Sequence, residues 1–458
     1  MPVQSTNPDY DRHLSEWQLM DAALDGEDAV KADVRNLPKP SGMVEAEKQD
    51  AAANRYLYDN YTARAQYEHW VRDSLRSMMG LVSRLEPEIT LPSGMKGLLD
   101  NATDDGFGLK QLFFRMVRQA ISHGRVPLVA NIDDNGLPYF STYTAVNAIN
   151  WKTANQGGRQ DLVLAVFREF REKRQDEFTH DCEPVFRIFT MRDGVCYSSV
   201  RNDGGEIVDA EKPLGTTGSD ERLVKGLPYI PVVYCGSTDN GPGVDEIPLL
   251  SMARAALKSY QLSADYFTAL HQTSHPQPWV SGLEEDADLS VTGPSAAWDL
   301  GVNGSCGYLE FQGAGIEAVR TAMSDQKNAA LEAGAKVMDV TGTESGEARK
   351  LRQNDQHATL HSIVITAAEA LEQGLRYLAD WLGFNEKDVT FTVKPDFVAV
   401  GVDPQMATQL LQAALAGVIS HDTYWHYIST GKVPDRNWMD EMERLTEQGP
   451  RLGNAGVE

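Results

Sequence analysis

SGEARKLRQNDQHATLHSIVITAAEALEQGLRYLADWLG, residues 345–383, is one helix-forming run. It holds neither Gly nor Pro from Glu347 to Gln373, and it continues to Leu382 once Gly374 is tolerated. Ser345 stands where an N-cap belongs, Glu347 suits the first turn, and Gly383 is placed as a C′ residue. At about 1.5 Å per residue the run spans roughly 50–55 Å. That exceeds the diameter of a small domain and suits an extended subunit of a larger assembly. Upstream lies a polar loop, and before it a helix over Ile316–Val337 with Gly334 as its weak point. Before that, an insert over His275–Gly313 carries the short apolar runs Trp279-Val280 and Tyr308-Leu309-Glu310-Phe311 between glycines. Another helix, Ile247–Thr273, precedes the insert. Its Pro248 falls in the first turn, and His275-Pro276-Gln277-Pro278 ends it. A compact enzyme core seldom needs two helices that leave it, carry a small β module and return.

The rest of the chain fixes the class. Met1 to about Ser41 is rich in Asp, Asn and Pro and is expected to be a loosely ordered arm. Glu45–Leu85 reads as helix interrupted only by Gly80 and ended by Pro87, and Leu109–Ser122 as a second helix stopped by Gly124. From Val126 the apolar period changes to two. Strands are expected over Val126–Asn131, Tyr139–Val146, Asp161–Phe170, Pro184–Met191, Val195–Arg201 and Ile230–Cys235. Asp134-Asn135-Gly136, Arg192-Asp193-Gly194 and Asp203-Gly204-Gly205 are turn signals between them. Helices followed by an antiparallel sheet make the fold α+β rather than alternating βαβ. After the long helix come a strand over Val389–Val393, helices over Gln405–Ala416 and Thr423–Thr430, and an acidic, amphipathic tail from Pro434.

Composition narrows the function. With 41% hydrophobic residues the chain can build sizeable cores, and no run of about eighteen apolar residues is present, so no membrane span is expected. Residues 1–40 lack the apolar core of a signal peptide, so synthesis in the cytoplasm is expected. Cys182, Cys196, Cys235 and Cys306 have no CxxC spacing and are expected to be buried thiols, neither a zinc site nor a disulfide framework. The net charge of −24 repels phosphate and argues against a tight nucleic-acid binder. It fits an ordinary acidic protein, and equally a surface that lies near DNA without sticking to it.

No catalytic signature occurs. There is no G-x-x-x-x-G-K-[ST], no G-x-S-x-G and no H-E-x-x-H, and Gly106-Phe107-Gly108 follows an Asp-rich turn instead of a strand. His357 and His361 share a helix face near Asp355 but lack a third ligand. Glu284, Glu285, Asp286 and Asp288 do not match an EF-hand and read as a solvated turn. No metal, cofactor or catalytic residue is expected. Trp151 and Trp381 are expected to pack, whereas Trp279 and Trp298, in an insert with little core, are candidates for subunit contacts.

The order of elements resembles the portal proteins of tailed bacteriophages, the ring through which DNA enters and leaves the capsid. Within them it looks like a subgroup of unknown function. Three stretches carry the resemblance. The first runs from Tyr61-Thr62-Ala63-Arg64 through Gly80-Leu81-Val82-Ser83-Arg84-Leu85-Glu86-Pro87-Glu88-Ile89 and Gly106-Phe107-Gly108-Leu109 to Gly124-Arg125-Val126-Pro127. The second runs from Ser263-Ala264-Asp265-Tyr266 through Gln277-Pro278 to Gly307-Tyr308-Leu309-Glu310-Phe311. The third runs from Glu344-Ser345-Gly346-Glu347-Ala348-Arg349 to Trp381-Leu382-Gly383. It covers nearly everything from Glu45 to Pro434, and collinearity rather than any one motif carries it.

The resemblance implies a division of the chain. Residues 1–44 form an arm and 45–244 an α/β wing. Residues 245–274 and 315–338 form two stem helices around a β-rich clip, 275–314. A tunnel loop follows at 339–346, then the long wing helix and strand, 347–403, and a short helical crown with tail, 404–458. In that scheme Val340, Thr341, Gly342, Thr343, Glu344 and Ser345 face DNA, and Lys327 and Lys336 line the tunnel as sparse basic rings or else serve as ordinary solvent-facing lysines. Trp279 and Trp298 lie at the clip interface. The implied partners are other copies in a ring, expected as a dodecamer, with the terminase large subunit, head-completion or adaptor proteins, and major capsid and scaffolding proteins. Double-stranded DNA passes non-specifically. The implied location is the capsid portal vertex of the virion, with host cytoplasm during assembly and no membrane. Two other classes remain open. One is a capsid scaffold or adaptor without a channel. The other is an unrecognised hydrolase on the Val126–Cys235 sheet using Asp133, Asp134, Asp176, His180 and Asp181.

Overall fold

The computed structural model describes residues 2–156, 158–172, 180–217, 223–274, 277–282, 304–309, 314–335, 346–395, 404–430, 433–434 and 436–447. Two compact units divide the chain, one ending at Pro395 and one beginning at Asp396. The fold is α+β, with helices and antiparallel sheets in the first unit and helices alone in the described part of the second.

The N-terminal segment is a folded part of the core, which corrects the expectation of a loose arm. Helix α1 (Pro8–Asp25) is capped by the Asn7 side chain, which accepts from the Asp9 amide, and α2 (Glu27–Ala32) follows. Tyr10, Trp17 and Met20 recur at helical spacing and are buried with Ala23. Trp17 Nε1 donates to the His123 carbonyl at 3.0 Å, Tyr10 Oη to that of Val146 at 2.9 Å, and Asn7 Nδ2 to that of Trp151 at 3.0 Å. The polar face of this helix dominated the composition and concealed the stripe.

The expected helix over Glu45–Leu85 is also corrected: it is four helices. These are α3 (Ser41–Gln49), α4 (Ala51–Asn54), α5 (Tyr56–Arg64) and α6 (Trp70–Val82). Asp50 breaks the run by taking an extended conformation and capping the amides of Ala52 and Ala53. Residues 65–69 are non-helical, while Gly80 sits unremarked inside α6.

After β1 (Glu88–Thr90), α7 (Leu109–His123) ends at Gly124 with φ 68°, the left-handed cap expected of it. Two antiparallel sheets follow where one was expected. Strands β2 (Arg125–Ile132) and β3 (Pro138–Thr142) come first. Then come β4 (Ala148–Gln156), β5 (Arg159–Glu172), β6 (Cys182–Arg192), β7 (Val195–Asn202) and β8 (Ile207–Pro213), which form a sheet in that order. The short pair β9 (Gly215–Thr217) and β10 (Leu223–Gly226) precedes β11 (Val232–Gly236), which returns to β2 and completes the three-stranded sheet β11-β2-β3. Strand β2 is buried from Arg125 to Ala130, as a central strand covered on both faces must be.

Arg125 sits in this core at 1% exposure. Its guanidinium lies 3.9 Å from the Trp151 ring centre and 4.2 Å from that of Tyr234, and Nη2 donates to the Pro242 carbonyl at 2.9 Å. Burial draws its pKa down to about 10. Cys196 and Cys235 are buried as expected, and burial pushes each thiol up to about 12. Cys182 and Cys306 are exposed, against expectation, because each lies on a strand with an open face.

Helices α8 (Leu250–Thr273) and α9 (Ala314–Ala330) flank the hairpin β12 (Gln277–Ser281) and β13 (Ser305–Leu309). The long run then appears as α10 (Gly346–Leu382), 37 residues, unbroken at Gly374. It packs on α7, β2 and β11, burying Ile363, Val364, Leu371, Leu375 and Leu378. Strand β14 (Thr390–Thr392) follows and pairs with β1, setting Ile89 opposite Phe391.

The second unit holds α11 (Pro404–Leu415), α12 (His421–Thr430) and α13 (Trp438–Glu447). Glu441 joins the last two: it accepts from the Ser420 amide at 2.6 Å and the Thr423 hydroxyl at 2.8 Å. Burial pushes its carboxyl up, but these bonds and Arg436 outweigh it and hold the pKa below the usual glutamate value. The stabilisation is complete above the unfolded value, about 4.3, and is lost as pH falls through the lower folded one. Glu441→Gln is therefore expected to weaken this attachment by about 1–3 kcal/mol at pH 7. Hydrogen exchange of α12 and α13 amides checks it, with equal protection in both proteins as the contrary result.

Candidate functional site

The helix–hairpin–helix module is positioned by the body at one end only. Residues of α8 from Leu250 to Ala264 include nine buried side chains, among them Met252, Ala256 and Tyr260, whereas none from Asp265 to Ser274 is buried. The grip ends at a defined place. Ser263 Oγ accepts from the Gln66 amide at 2.9 Å, Tyr61 Oη donates to Asp265 at 2.7 Å, and Gln261 donates to the Asn36 carbonyl at 3.0 Å. Arg254 pairs with Glu16 of α1 at 2.6 Å. Tyr61, Ser263 and Asp265 lie in stretches quoted from the sequence, but no local signal gave them this holding role, and Glu16, Asn36 and Gln66 were read only as arm or helix.

Beyond Asp265 no side chain of α8 is buried, though Phe267 and His271 still share a cleft with Glu27 and residues 63–69. In the hairpin Trp279 stands opposite Gly307 and Ser281 opposite Ser305, whose hydroxyls are 2.9 Å apart. Trp279 is 45% exposed, and a side chain at Gly307 would meet its indole at 3.1 Å, so the glycine makes room for the ring. Helix α9 lies along α8 with Ile316, Val319, Ala322, Met323 and Gln326 half-buried. Its outward face carries Arg320, Ser324 and Lys327 on one edge and Ala318, Asp325 and Ala329 on the other. Lys327 is exposed there and already engages another group.

At its end α9 widens into a π-helical turn, Leu331–Ala335. Gly334 takes φ 114° inside it, a conformation that strains any other residue, so the weak point read from the sequence is a real kink. The Gly334 carbonyl lies 3.5 Å from Ser74 Oγ of α6. Beside the turn is a cavity of about 460 Å³ lined by Met78, Ile121, Glu246, Leu249, Gly334 and Leu360, among others. The joint between α9 and the approach to α10 is thus packed on one side and open on the other.

Of the residues singled out from sequence, Trp279 and Lys327 are placed here. Trp298, Lys336, the loop residues Val340, Thr341, Gly342, Thr343, Glu344 and Ser345, the acidic knot at 284–288 and the His357 side chain lie outside the described residues. His361 is exposed, and among the described residues no group of three His, Cys, Asp or Glu is arranged to hold a metal. The hydrolase candidates are dispersed. Asp133 closes the β2–β3 turn, accepting from the amides of Asn135 at 2.9 Å and Leu137 at 2.7 Å, and the Leu137 bond holds its carboxyl below the ordinary range. His180 and Asp181 precede β6 in the other sheet, exposed, with His180 3.5 Å from Glu172. Asp134 is exposed in the same turn as Asp133, and Asp176 lies outside the described residues.

One family model matches here. Described as "Domain of unknown function (DUF4055)", it covers residues 248–382, which take in α8, the hairpin, α9 and α10. No curated protein matches the chain. Among solved structures it is similar to a chain from the neck of an empty GTA particle computed with C6 symmetry. The identity is 14%, the likeness covers 87% of this chain and 96% of that one, and the TM-score is 0.41, too low to argue function from. The family boundaries coincide with the module that leaves the body and with the long helix that follows it.

Proposed function

We propose that this chain is a portal subunit: copies form a ring at one capsid vertex, and double-stranded DNA passes through the central channel. The observation that carries the reading is the module itself. Two helices, held by the body along Leu250–Asp265 and again at the Gly334 turn, carry a hairpin between them, and a 37-residue helix follows. In this reading α8 and α9 are the stem and the hairpin with Trp279 is the clip. The body before Asp245, with α10, is the wing, and α11 to α13 are the crown. Residues 340–345 meet the DNA.

Electrostatics suits that role. A ring of subunits each carrying −24 surrounds the bore with negative charge, so the duplex finds few tight phosphate contacts and slides. Lys327, on the outward edge of α9, adds at most a sparse basic ring. The chain has no catalytic duty in this reading; the terminase large subunit supplies the motor and docks on the clip, which head-completion or adaptor proteins occupy later. Scaffolding and major capsid proteins surround the wing and crown.

Electron microscopy of purified protein is expected to show rings with an axial hole, most simply dodecamers. Compact particles without a hole would favour an adaptor, and a stable monomer at micromolar concentration would remove the ring altogether. Deleting Thr341–Ser345 is expected to leave rings intact and to impair DNA packaging or retention; normal packaging would refute the loop's assignment.

A further inference from the structure

A second cavity lies where α10 meets β5 and β11, all within the first unit. It holds about 540 Å³, inside the roughly 300–1,000 Å³ usual for small-molecule sites. Helix α10 gives one wall, with Glu369, Glu372, Gln373, Arg376 and Tyr377 on a single helical face. Asp161 and Leu162 come from β5, and Tyr229, Ile230, Val232 and Tyr234 from β11 and the segment before it. Asn240 and Pro242, in the loop leading to α8, complete the lining.

The charged groups of this cavity are unequally engaged. Glu372 takes the Arg376 guanidinium and also accepts from the Phe391 amide at 2.9 Å. That pair is satisfied. Asp161 and Glu369 are exposed carboxylates on different walls, and neither side chain has a hydrogen bond or ion pair among the described residues. Burial pushes the Tyr377 hydroxyl pKa up and the Asp161 charge adds to it, so that carboxylate is within electrostatic reach of the ring. Most of the remaining surface is apolar or aromatic, with Tyr229 and Tyr377 stacked at 4.4 Å between ring centres.

Three lining residues carry a buried polar atom with no partner. Tyr234 is 3% exposed, and its hydroxyl makes no hydrogen bond. Asn240 donates Nδ2 to the Thr366 carbonyl at 3.1 Å, which fixes the amide and leaves Oδ1 as an unused acceptor. Arg376 Nε is an unused donor. Buried groups left in this state are costly, and a ligand that meets them removes the cost.

These features select a cation with an apolar stem. The two unpaired carboxylates repel phosphate and other anions, and the one base on the described lining, Arg376, is already paired. Arg125 stacks on Tyr234 but does not line the cavity. Among the described residues no group of three His, Cys, Asp or Glu is arranged for a metal, and aromatic walls offer an oxygen-seeking ion little. An alkylammonium suits every part: its head pairs with carboxylate or lies over a tyrosine face, and its methylenes cover apolar surface.

We infer that this cavity binds a primary alkylammonium chain, its charge paired with Asp161 or Glu369 and its methylenes laid over Leu162, Ile230 and the Tyr229–Tyr377 pair. Two sources supply that chemistry. A free linear diamine brings one ammonium for each carboxylate, whereas a lysine side chain brings its own main-chain carbonyl for Arg376 Nε. The site goes beyond the channel reading, because a single subunit presents it with or without a ring.

Calorimetric titration of the full chain at fixed ionic strength tests it with two probes, 1,5-diaminopentane and Nα-acetyl-lysine N-methylamide. Saturable binding of one ligand per chain is expected, and the tighter probe identifies the source. The uncharged 1,5-pentanediol is expected not to bind. Combining Asp161→Asn with Glu369→Gln is expected to weaken binding roughly tenfold or more. Both side chains are exposed, and unchanged circular dichroism confirms the fold. Asp134→Asn, an exposed carboxylate that does not line the cavity, is expected to leave affinity unchanged. Absence of saturable binding by either amine, equal binding of the diol, or affinity that survives the double variant overturns the inference. Rings that bind neither amine would remove this site alone, and a ringless subunit that binds one would keep it.

Discussion

Trp17→Ala is expected to lower the free energy of unfolding of the first unit by about 3–5 kcal/mol. The indole is fully buried, tilted against Tyr10 at 5.5 Å between ring centres, and donates to the His123 carbonyl at the end of α7. Truncation opens a large cavity and leaves that carbonyl without its donor, and each adds its own cost. Trp17→Phe keeps most of the volume and loses the bond, so about 1–2 kcal/mol is expected. Urea denaturation of the three proteins measures both steps. If the alanine variant lost less than about 1 kcal/mol, α1 would be an appendage after all.

At Gly374, alanine is expected to destabilise despite being the better helix former. A Cβ there would come 2.9 Å from Leu128 Cδ2 and 3.0 Å from Phe140 Cε1. Both neighbours are fully buried, and the aromatic edge cannot swing aside. Overpacking costs roughly 1–3 kcal/mol and outweighs a helix-propensity gain of about 1 kcal/mol. Gly374→Leu is expected to exceed 3 kcal/mol or to prevent folding, from roughly the upper end of that range onward. Thermal melts decide it, and a stabilised Gly374→Ala would mean that α10 stands off the sheet. The glycine lets the long helix lie directly against Leu128 of β2 and Phe140 of β3.

The parts legible in the sequence are those with strong local signals. Leu109 to Gly124 gave both the stripe and the stop of α7, and the Asn-Gly and Asp-Gly turns located the strand ends between β2 and β3 and between β6 and β7. The helix–hairpin–helix order and the break at Gly334 were legible for the same reason. What was not legible depends on distant partners. Strand β4, AINWKTANQ, is too polar to announce itself and exists because β5 pairs with it. β1 is three residues long and needs Phe391, some three hundred positions away, to be a strand at all. The cavity beside the π-turn draws its wall from α6, α7, the residues just before α8 and α10, and no window of sequence contains it.

The partners of α1 also set an order of events during synthesis. This helix leaves the ribosome well before its partners: its hydrogen bonds reach residues 106, 136 and 144 positions downstream, and Glu16 waits for Arg254, 238 positions on. At about 5–20 residues per second that interval is roughly 10–50 s. Tyr10 and Trp17 wait roughly 5–30 s at the same rate for Val146 and His123, so the nascent chain meanwhile presents an apolar stripe to whatever chaperone waits at the exit. Contacts this distant in sequence also slow the closing of the fold. An element made early is secured only by parts made much later.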